Sequence, residues 1–261
     1  MPDALSGALS GALSAALATD GLVWLALTIG IAGLVRGFSG FGTALIFVPV
    51  AGIYLDPRDV IILITLTGIA SNAVVLPRAW TQGSRAEVGL LALAAIVTVP
   101  LGLWLLELVD KTTVRWVVAA VGACMLAALV SGWRYTGAVT RPTLLAIGGA
   151  AGVIGGMTGL TGPVVILFYL AGQAVAQSVR ANTILFLAAL DVVIIANLLI
   201  AGAVTWSLVV LAALLAIPYG ATTMIGQRLF DPRHERLYRQ LAYAVIALAV
   251  VTGLPVWEKG G

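Results

Sequence analysis

Charge is what this chain has least of: 10% of its 261 residues are Asp, Glu, Lys or Arg, against about a quarter in soluble folds. With 61% apolar residues beside that shortage, a water-soluble globular domain is excluded. A single cysteine, Cys124, excludes an internal disulfide and any thiolate metal cluster, and its place in an apolar run makes it a buried filler by expectation. The only histidine, His234, sits in the charged turn DPRHER, so no imidazole is available inside the apolar segments. No cluster of His, Cys or carboxylates suggests a metal, and no cofactor is expected. No phosphate-binding P-loop is present, so an ATP-driven pump would need a separate subunit. No hydrophilic stretch could fold as a second domain, and 1–261 reads as a single membrane domain. The opening MPDALSGALSGALSAALATDG lacks the basic start of a secretory signal, and 1–20 reads as a surface extension, amphipathic or frayed.

What is present is hydrocarbon in bilayer-length runs. Val60 to Leu76, Val88 to Leu106 and Trp206 to Ile225 contain no charge, and a spanning helix needs about 20 such residues. The fold class is therefore all-α and polytopic. Charges and helix breakers divide the chain into ten segments: 21–35, 41–55, 60–76, 88–106, 114–130, 143–155, 163–176, 182–200, 206–226 and 237–256. The first two and the sixth and seventh are short, which predicts half-helices at 21–55 and 143–176. The formal net charge of +3 is what basic cytoplasmic loops produce, and it does not call for nucleic acid.

An internal duplication underlies the order of segments. Shifting by 119 residues sets GIAGLVRGFSGFG (30–42) on GAAGVIGGMTGLT (149–161), with Gly30, Gly33, Gly37 and Gly40 on Gly149, Gly152, Gly156 and Gly159. The same shift sets Asn72 on Asp191, and one residue less sets Pro100 and Gly102 on Pro218 and Gly220. Asp110 and Asp231 both open the next polar turn. The repeats run from about 21 to 131 and from 143 to 257. Five segments per repeat is an odd number, so the second half enters from the opposite side, as in inverted-repeat transporters. With all ten crossing, Arg78, Arg85, Arg134, Arg141, Arg180, Arg228, Arg233, Arg236 and Arg239 share one side against Arg58, Lys111, Arg115 and Lys259. Nine against four fits the positive-inside rule with both termini outside, while counting each short pair as one re-entrant element gives eight against five.

The two glycine-rich breaks are the candidate binding site. A broken helix leaves its first amide groups unpaired, and in a bilayer these need protein, water or a ligand. The second segment of each pair starts just after the glycines, so its positive end faces the break and favours an anion. Gly37, Gly40, Gly42, Gly159 and Gly162 supply the break, and Ser39, Thr43, Thr158 and Thr161 add hydroxyls. Those hydroxyls have a plain alternative, which is bonding back to helix carbonyls. Arg36 immediately precedes the first break and is the one basic residue expected at depth, where an unpaired guanidinium is costly and its planar fork suits a carboxylate or oxyanion. Its repeat mate, Gly155, makes the site asymmetric. Asp191 is the only carboxylate well inside an apolar run, expected to pair with Arg36 or to carry a proton, and Asn72 lines the other wall. Asn182 and Asn197 are weaker candidates, since either could simply join helices. Gly37, Phe38, Ser39 and Gly40 also spell GxSG, the nucleophile motif of intramembrane serine proteases, but with no base at depth that reading ranks last.

GLVRGFSGFGTALIFVPV (33–50) and GVIGGMTGLTGPVVILFYL (152–170) resemble the twin glycine motifs of the sulfite exporter TauE/SafE family, over nearly the whole chain after residue 20. The resemblance implies a cell (inner) membrane permease for small sulfur-containing anions such as sulfite or organosulfonates. The expected function is a secondary transporter and not an enzyme, with a midplane anion site, proton or sodium coupling, and an anion channel as the nearest rival. The bilayer is the other partner, and a homo-oligomer stays open because membrane dimers hide their seams among ordinary apolar faces.

Overall fold

The structure, a computed structural model, describes residues 2–132, 140–171, 176–229 and 235–257, with the side chains of 2–8, 170–177, 235–239 and 257 left out. Among the described residues the chain is helical without a strand. The order is α1 (Pro2–Leu17), α2 (Leu22–Ser39), α3 (Thr43–Tyr54), α4 (Pro57–Gln82), α5 (Arg85–Leu108), α6 (Lys111–Ser131), α7 (Arg141–Thr158), α8 (Pro163–Ala171), α9 (Ala176–Ile200), α10 (Trp206–Leu229) and α11 (Glu235–Gly253), followed by a 3-10 turn at Pro255–Trp257. The ten apolar segments lie on α2 to α11, and the N-terminal extension forms α1, which packs on α10.

Six helices, α2, α4, α5, α6, α9 and α10, are long and apolar enough to cross a bilayer. Their outward faces carry bare hydrocarbon: Val97 is 72% exposed and Ile200 87%. Water would penalise each such residue by about 1.5–3 kcal/mol, whereas lipid does not. The protein is thus a multi-pass membrane protein. Cys124 belongs to this outward face and is exposed, not buried. Gly122 and Met125 take the inward positions of α6, and the helical rotation of about 100° per residue turns Cys124 away from them.

Only the second helix of each glycine-linked pair is short. Helices α2 and α7 have 18 residues each, about 27 Å, while α3 has 12 and α8 has 9 described residues. Hydropathy ends the first segments at Arg36 and Gly155, but the backbone stays helical for another turn. Ser39 Oγ bonds back to the Val35 carbonyl at 2.7 Å, so a polar residue there closes the helix without breaking it early.

Helices α2 and α3 form a returning hairpin. A Cβ on Gly21, just before α2, would lie 2.5 Å from the Tyr54 ring at the end of α3. Such a hairpin has the parity of two crossings, and the arginines sort accordingly. Gly37, Gly40, Gly83, Arg180, Asn182 and Gly226 meet at one end of the helices, the end that also carries Arg78, Arg85, Arg141 and Arg228. The other end joins Gly52, Arg115 and Gly253 and holds the Arg58–Glu107 ion pair and Lys111. Arg134, Arg233, His234, Asp231 and Lys259, and the side chains of Arg236 and Arg239, lie outside the described residues.

Contacts between helices come in exchangeable pairs. Helix α2 packs on α10 and α7 on α5, α3 on α11 and α8 on α6, and α4 lies against α9. Close backbone approaches centre on glycines: Gly37 against Gly226, Gly156 against Gly102, and Gly148 against Leu91. The packing therefore pairs Gly102 with Gly226, not with Gly220, and the Pro100 and Pro218 landmarks are six residues out of this register. Small residues let helix backbones approach this closely, so the touching glycines fix the register; Gly220 has only the Ala70 methyl near it, 3.9 Å away.

Helix α6 starts on an Asp110 cap that accepts from the Thr113 amide (3.0 Å) and hydroxyl (2.6 Å). These two bonds hold the Asp110 carboxyl below its ordinary value of 3.8. A depressed value means that the cap stabilises the fold fully above about pH 4 and less as the pH falls through the lowered value. Asp110→Ala should therefore lower the melting temperature in detergent at pH 7, and the gap to wild type should narrow below pH 3.5.

Candidate functional site

The two breaks are built alike. Gly40 and Gly159 end α2 and α7 in the left-handed conformation (φ 82° and 74°), and each amide closes on the carbonyl four residues earlier, that of Arg36 or Gly155. After Gly42 (φ 100°) the first intrahelical bond of α3 runs from the Ile46 amide to the Gly42 carbonyl. In α8 the corresponding bond runs from Ile166 to Gly162, and Pro163 has no amide hydrogen to satisfy. The amides of Thr43, Ala44, Leu45, Val164 and Val165 thus precede the first bonded turn of their helices.

Both starting turns line one open cleft, level with Gly68 and Asp191 in the middle stretches of α4 and α9. Gly42, Thr43 and Ala44 come from one break, Thr161, Gly162 and Pro163 from the other, and Arg36, Gly68, Asp191 and Tyr219 complete the wall. Arg36 is 5% exposed. Its Nη2 donates to Asn72 Oδ1 at 2.8 Å, and Asn72 Nδ2 donates in turn to Asp191 Oδ2 at 3.3 Å. Asn72 therefore stands between the two charges, and no direct Arg36–Asp191 ion pair is present. Arg36 Nε has no partner. An unpaired buried donor of this kind costs about 1–3 kcal/mol, more on a charged group, and a ligand oxygen would recover it. Nε and a terminal nitrogen of one guanidinium form the edge that holds two oxygens of a planar or pyramidal oxyanion.

Asn72 and Asp191, 119 residues apart in sequence, touch directly. Gly68 makes room for this contact, since a Cβ there would lie 2.9 Å from the carboxylate. Thr43 Oγ1 is 2.8 Å from Tyr219 Oη in a buried contact. Ser39 and Thr158 are elsewhere: their hydroxyls bond to the Val35 and Ile154 carbonyls and close the breaks internally. Gly37 and Gly159 act in packing and turning, Gly37 against α10 and Gly159 against Ile61 and Val48.

Several functional-looking residues escape a reading by sequence. Tyr219 sits between Pro218 and Gly220 in an uncharged run; a phenol in such a run was the available signal. Arg36 is not the only guanidinium drawn in among the helices. Arg115 is also 5% exposed and bonds the Gly253 and Leu254 carbonyls, capping α11, and Arg180 reaches the Gly37 carbonyl at 3.0 Å. Both stand one turn inside helices whose apolar stretch begins later, which makes them look like loop charges. Asn182 joins helices as its composition suggests, donating to Glu87 at 3.1 Å and accepting from the Ser84 amide at 2.6 Å, whereas Asn197 bonds only its own helix at Val193.

No group of three or more potential metal ligands occurs among the described residues. A family model described as sulfite exporter TauE/SafE matches residues 25–253. Neither the curated proteins nor the solved structures contain a match.

Proposed function

Since the chain belongs to the sulfite exporter TauE/SafE family, matched from residue 25 to 253, we propose that it is a secondary transporter of small sulfur oxyanions, sulfite or organosulfonates, acting in the inner membrane of the cell. The observation that carries this reading is the convergence of two helix N-termini and the unpaired Arg36 Nε on one cleft. Each N-terminus presents roughly half a positive charge. With Arg36 the site holds about +2, and an ionised Asp191 reduces this to about +1. A monoanion then balances the site when Asp191 is ionised, and a dianion when it carries a proton. Asp191 is accordingly the coupling residue, with protons as the coupled ion.

In this reading Arg36 and the amides of Thr43, Ala44, Val164 and Val165 bind the anion, Gly42, Thr161 and Gly162 let it approach the backbone, and Asn72 relays between Arg36 and Asp191. Repeats of 21–131 and 143–257 of opposite orientation, with the Arg78 and Arg180 end cytoplasmic, fit both the exchangeable helix pairs and the positive-inside rule. Rocking of one repeat against the other would open the cleft to each side in turn.

Melting curves of the detergent-purified protein with sulfite, sulfate, thiosulfate, sulfoacetate, taurine, phosphate and acetate test the reading, beside Arg36→Ala. An anion at a hundred times its dissociation constant should add about 2.7 kcal/mol of stability. Stabilisation by sulfite or a sulfonate, lost in Arg36→Ala, is expected. Stabilisation by none of them, or an unchanged response in the variant, would remove both the site and the substrate class.

A further inference from the structure

The two breaks have one backbone design and opposite electrostatics. At the first, a Cβ on Gly40 would lie 3.0 Å from Arg180 Cγ and 3.2 Å from its Nε, and Arg180 Nη2 donates to the Gly37 carbonyl at 3.0 Å. At the second, Gly159 is the counterpart of Gly40, and the side chain 3.3 Å from its would-be Cβ is Ile61. Ile61 and Arg180 are related by the 119-residue offset that relates Asn72 to Asp191. One architectural position thus holds an isoleucine over one break and an arginine over the other. The central residues repeat the imbalance, Arg36 against Gly155. Val48 and Ile64 complete an apolar surround at Gly159.

A purely structural guanidinium would be spent on its carbonyl. Arg180 uses one nitrogen on Gly37 and remains partly exposed, so the rest of its fork is available on the arginine-rich end of the molecule. From there the chain runs through Gly37 to Arg36, which lines the shared cleft and whose buried Nε has no partner. Arg180 on the Gly37 carbonyl and Arg36, the next residue along α2, thus place two guanidiniums on the way into the cleft. Over Gly159 at the opposite break the corresponding side chains, Ile61, Val48 and Ile64, are hydrocarbon.

We propose that Arg180 is an anion-binding station on the arginine-rich side of the first break, taking a small oxyanion before Arg36 receives it, with no counterpart on the Ile61 side. The proposal rests on the transport reading above and adds sidedness to it. The station contributes to affinity when the cleft is open toward Arg78 and Arg180 and contributes nothing when it is open toward Ile61. Among the described residues no carboxylate forms an ion pair with Arg180, so an acceptor for the rest of its fork is left to the ligand.

The test uses the full chain in proteoliposomes, with the sidedness of insertion fixed by protease accessibility, and sulfite as probe presented from each side in turn. Wild type, Arg180→Gln, Arg180→Lys and Arg36→Gln are compared, with melting curves of each without ligand. Arg180→Gln should raise the half-saturating sulfite concentration about tenfold on the arginine-rich side and less than twofold on the other, Arg180→Lys should recover part of it, and Arg36→Gln should abolish flux from both sides. An equal change on both sides, with a lowered melting temperature, would make Arg180 a cap for α2 and overturn the proposal. So would unchanged half-saturation in Arg180→Gln. If wild type carries no sulfite and Arg36→Gln makes no difference, the transport reading itself falls, a result distinct from a sidedness that is merely missing.

Discussion

Gly37→Ala and Gly156→Ala are expected to destabilise the protein strongly, while Gly30→Ala and Gly149→Ala, seven residues earlier on the same helices, leave it unchanged or slightly more stable. A Cβ on Gly37 would lie 2.5 Å from the Thr223 carbonyl oxygen and 2.8 Å from the Gln227 amide nitrogen; on Gly156 it would lie 2.6 Å from the Val99 carbonyl oxygen. These neighbours are backbone, so the helices would have to move apart. Overpacking of this kind costs about 1–3 kcal/mol or more, and the gain from replacing glycine by alanine in a helix is at most about 1 kcal/mol. The clash wins. At Gly30 and Gly149 the nearest atoms are threonine methyls 3.9 and 3.6 Å away; nothing has to shift, and the helix gain is left over. Melting curves of the four variants in one detergent check this. Equal melting temperatures for all four would mean that α2 and α7 do not approach α10 and α5 by backbone contact.

Asp191→Asn should uncouple transport from the proton gradient and shift selectivity toward dianions. Asparagine fits the same hydrogen bond to Asn72 Nδ2 but removes the charge, leaving Arg36 and the two helix termini at about +2 at every pH. Protonation of Asp191 in wild type is expected to raise anion affinity, and to raise it more for dianions than for monoanions, and the variant should show the protonated selectivity throughout. Initial rates of monovalent and divalent anion uptake across a pH series, with and without an imposed pH gradient, read this directly. A variant with wild-type pH dependence and wild-type selectivity would leave Asp191 as a structural partner of Asn72. Flux in wild type that ignores every ion gradient and does not saturate would indicate a channel.

The cleft explains why the breaks carry so little polar side-chain chemistry. In the proposed transport cycle backbone amides would do the work that Lys or Arg does in water, because a bilayer makes an unpaired amide expensive and an anion welcome. Arg36 adds the only full positive charge on the lining, and Asp191 the only negative one. Ser39 and Thr158, the most conspicuous hydroxyls of the motifs, are consumed in closing the turns that create the site.

The sequence by itself determined the membrane class, the ten apolar segments, the two breaks and the residues Arg36, Asn72 and Asp191, because burial of charge in lipid is so costly that any polar residue in such a run stands out. It also showed the 119-residue offset. Tertiary structure alone decided which of these residues meet. Only the packing of α4 on α9 reveals that Asn72 and Asp191 touch and that Asn72 separates the aspartate from Arg36. Only the glycine contacts set the register of α5 and α10, which proline positions misalign by six residues. Arg115 and Arg180 look like loop charges from hydropathy, which averages over a window; one lies under the end of α11 and the other over the first break because of helices distant in sequence. Periodicity and composition report what each residue would prefer to face. Which carbonyl or guanidinium it does face depends on elements more than a hundred positions away, and that is settled only when the helices pack.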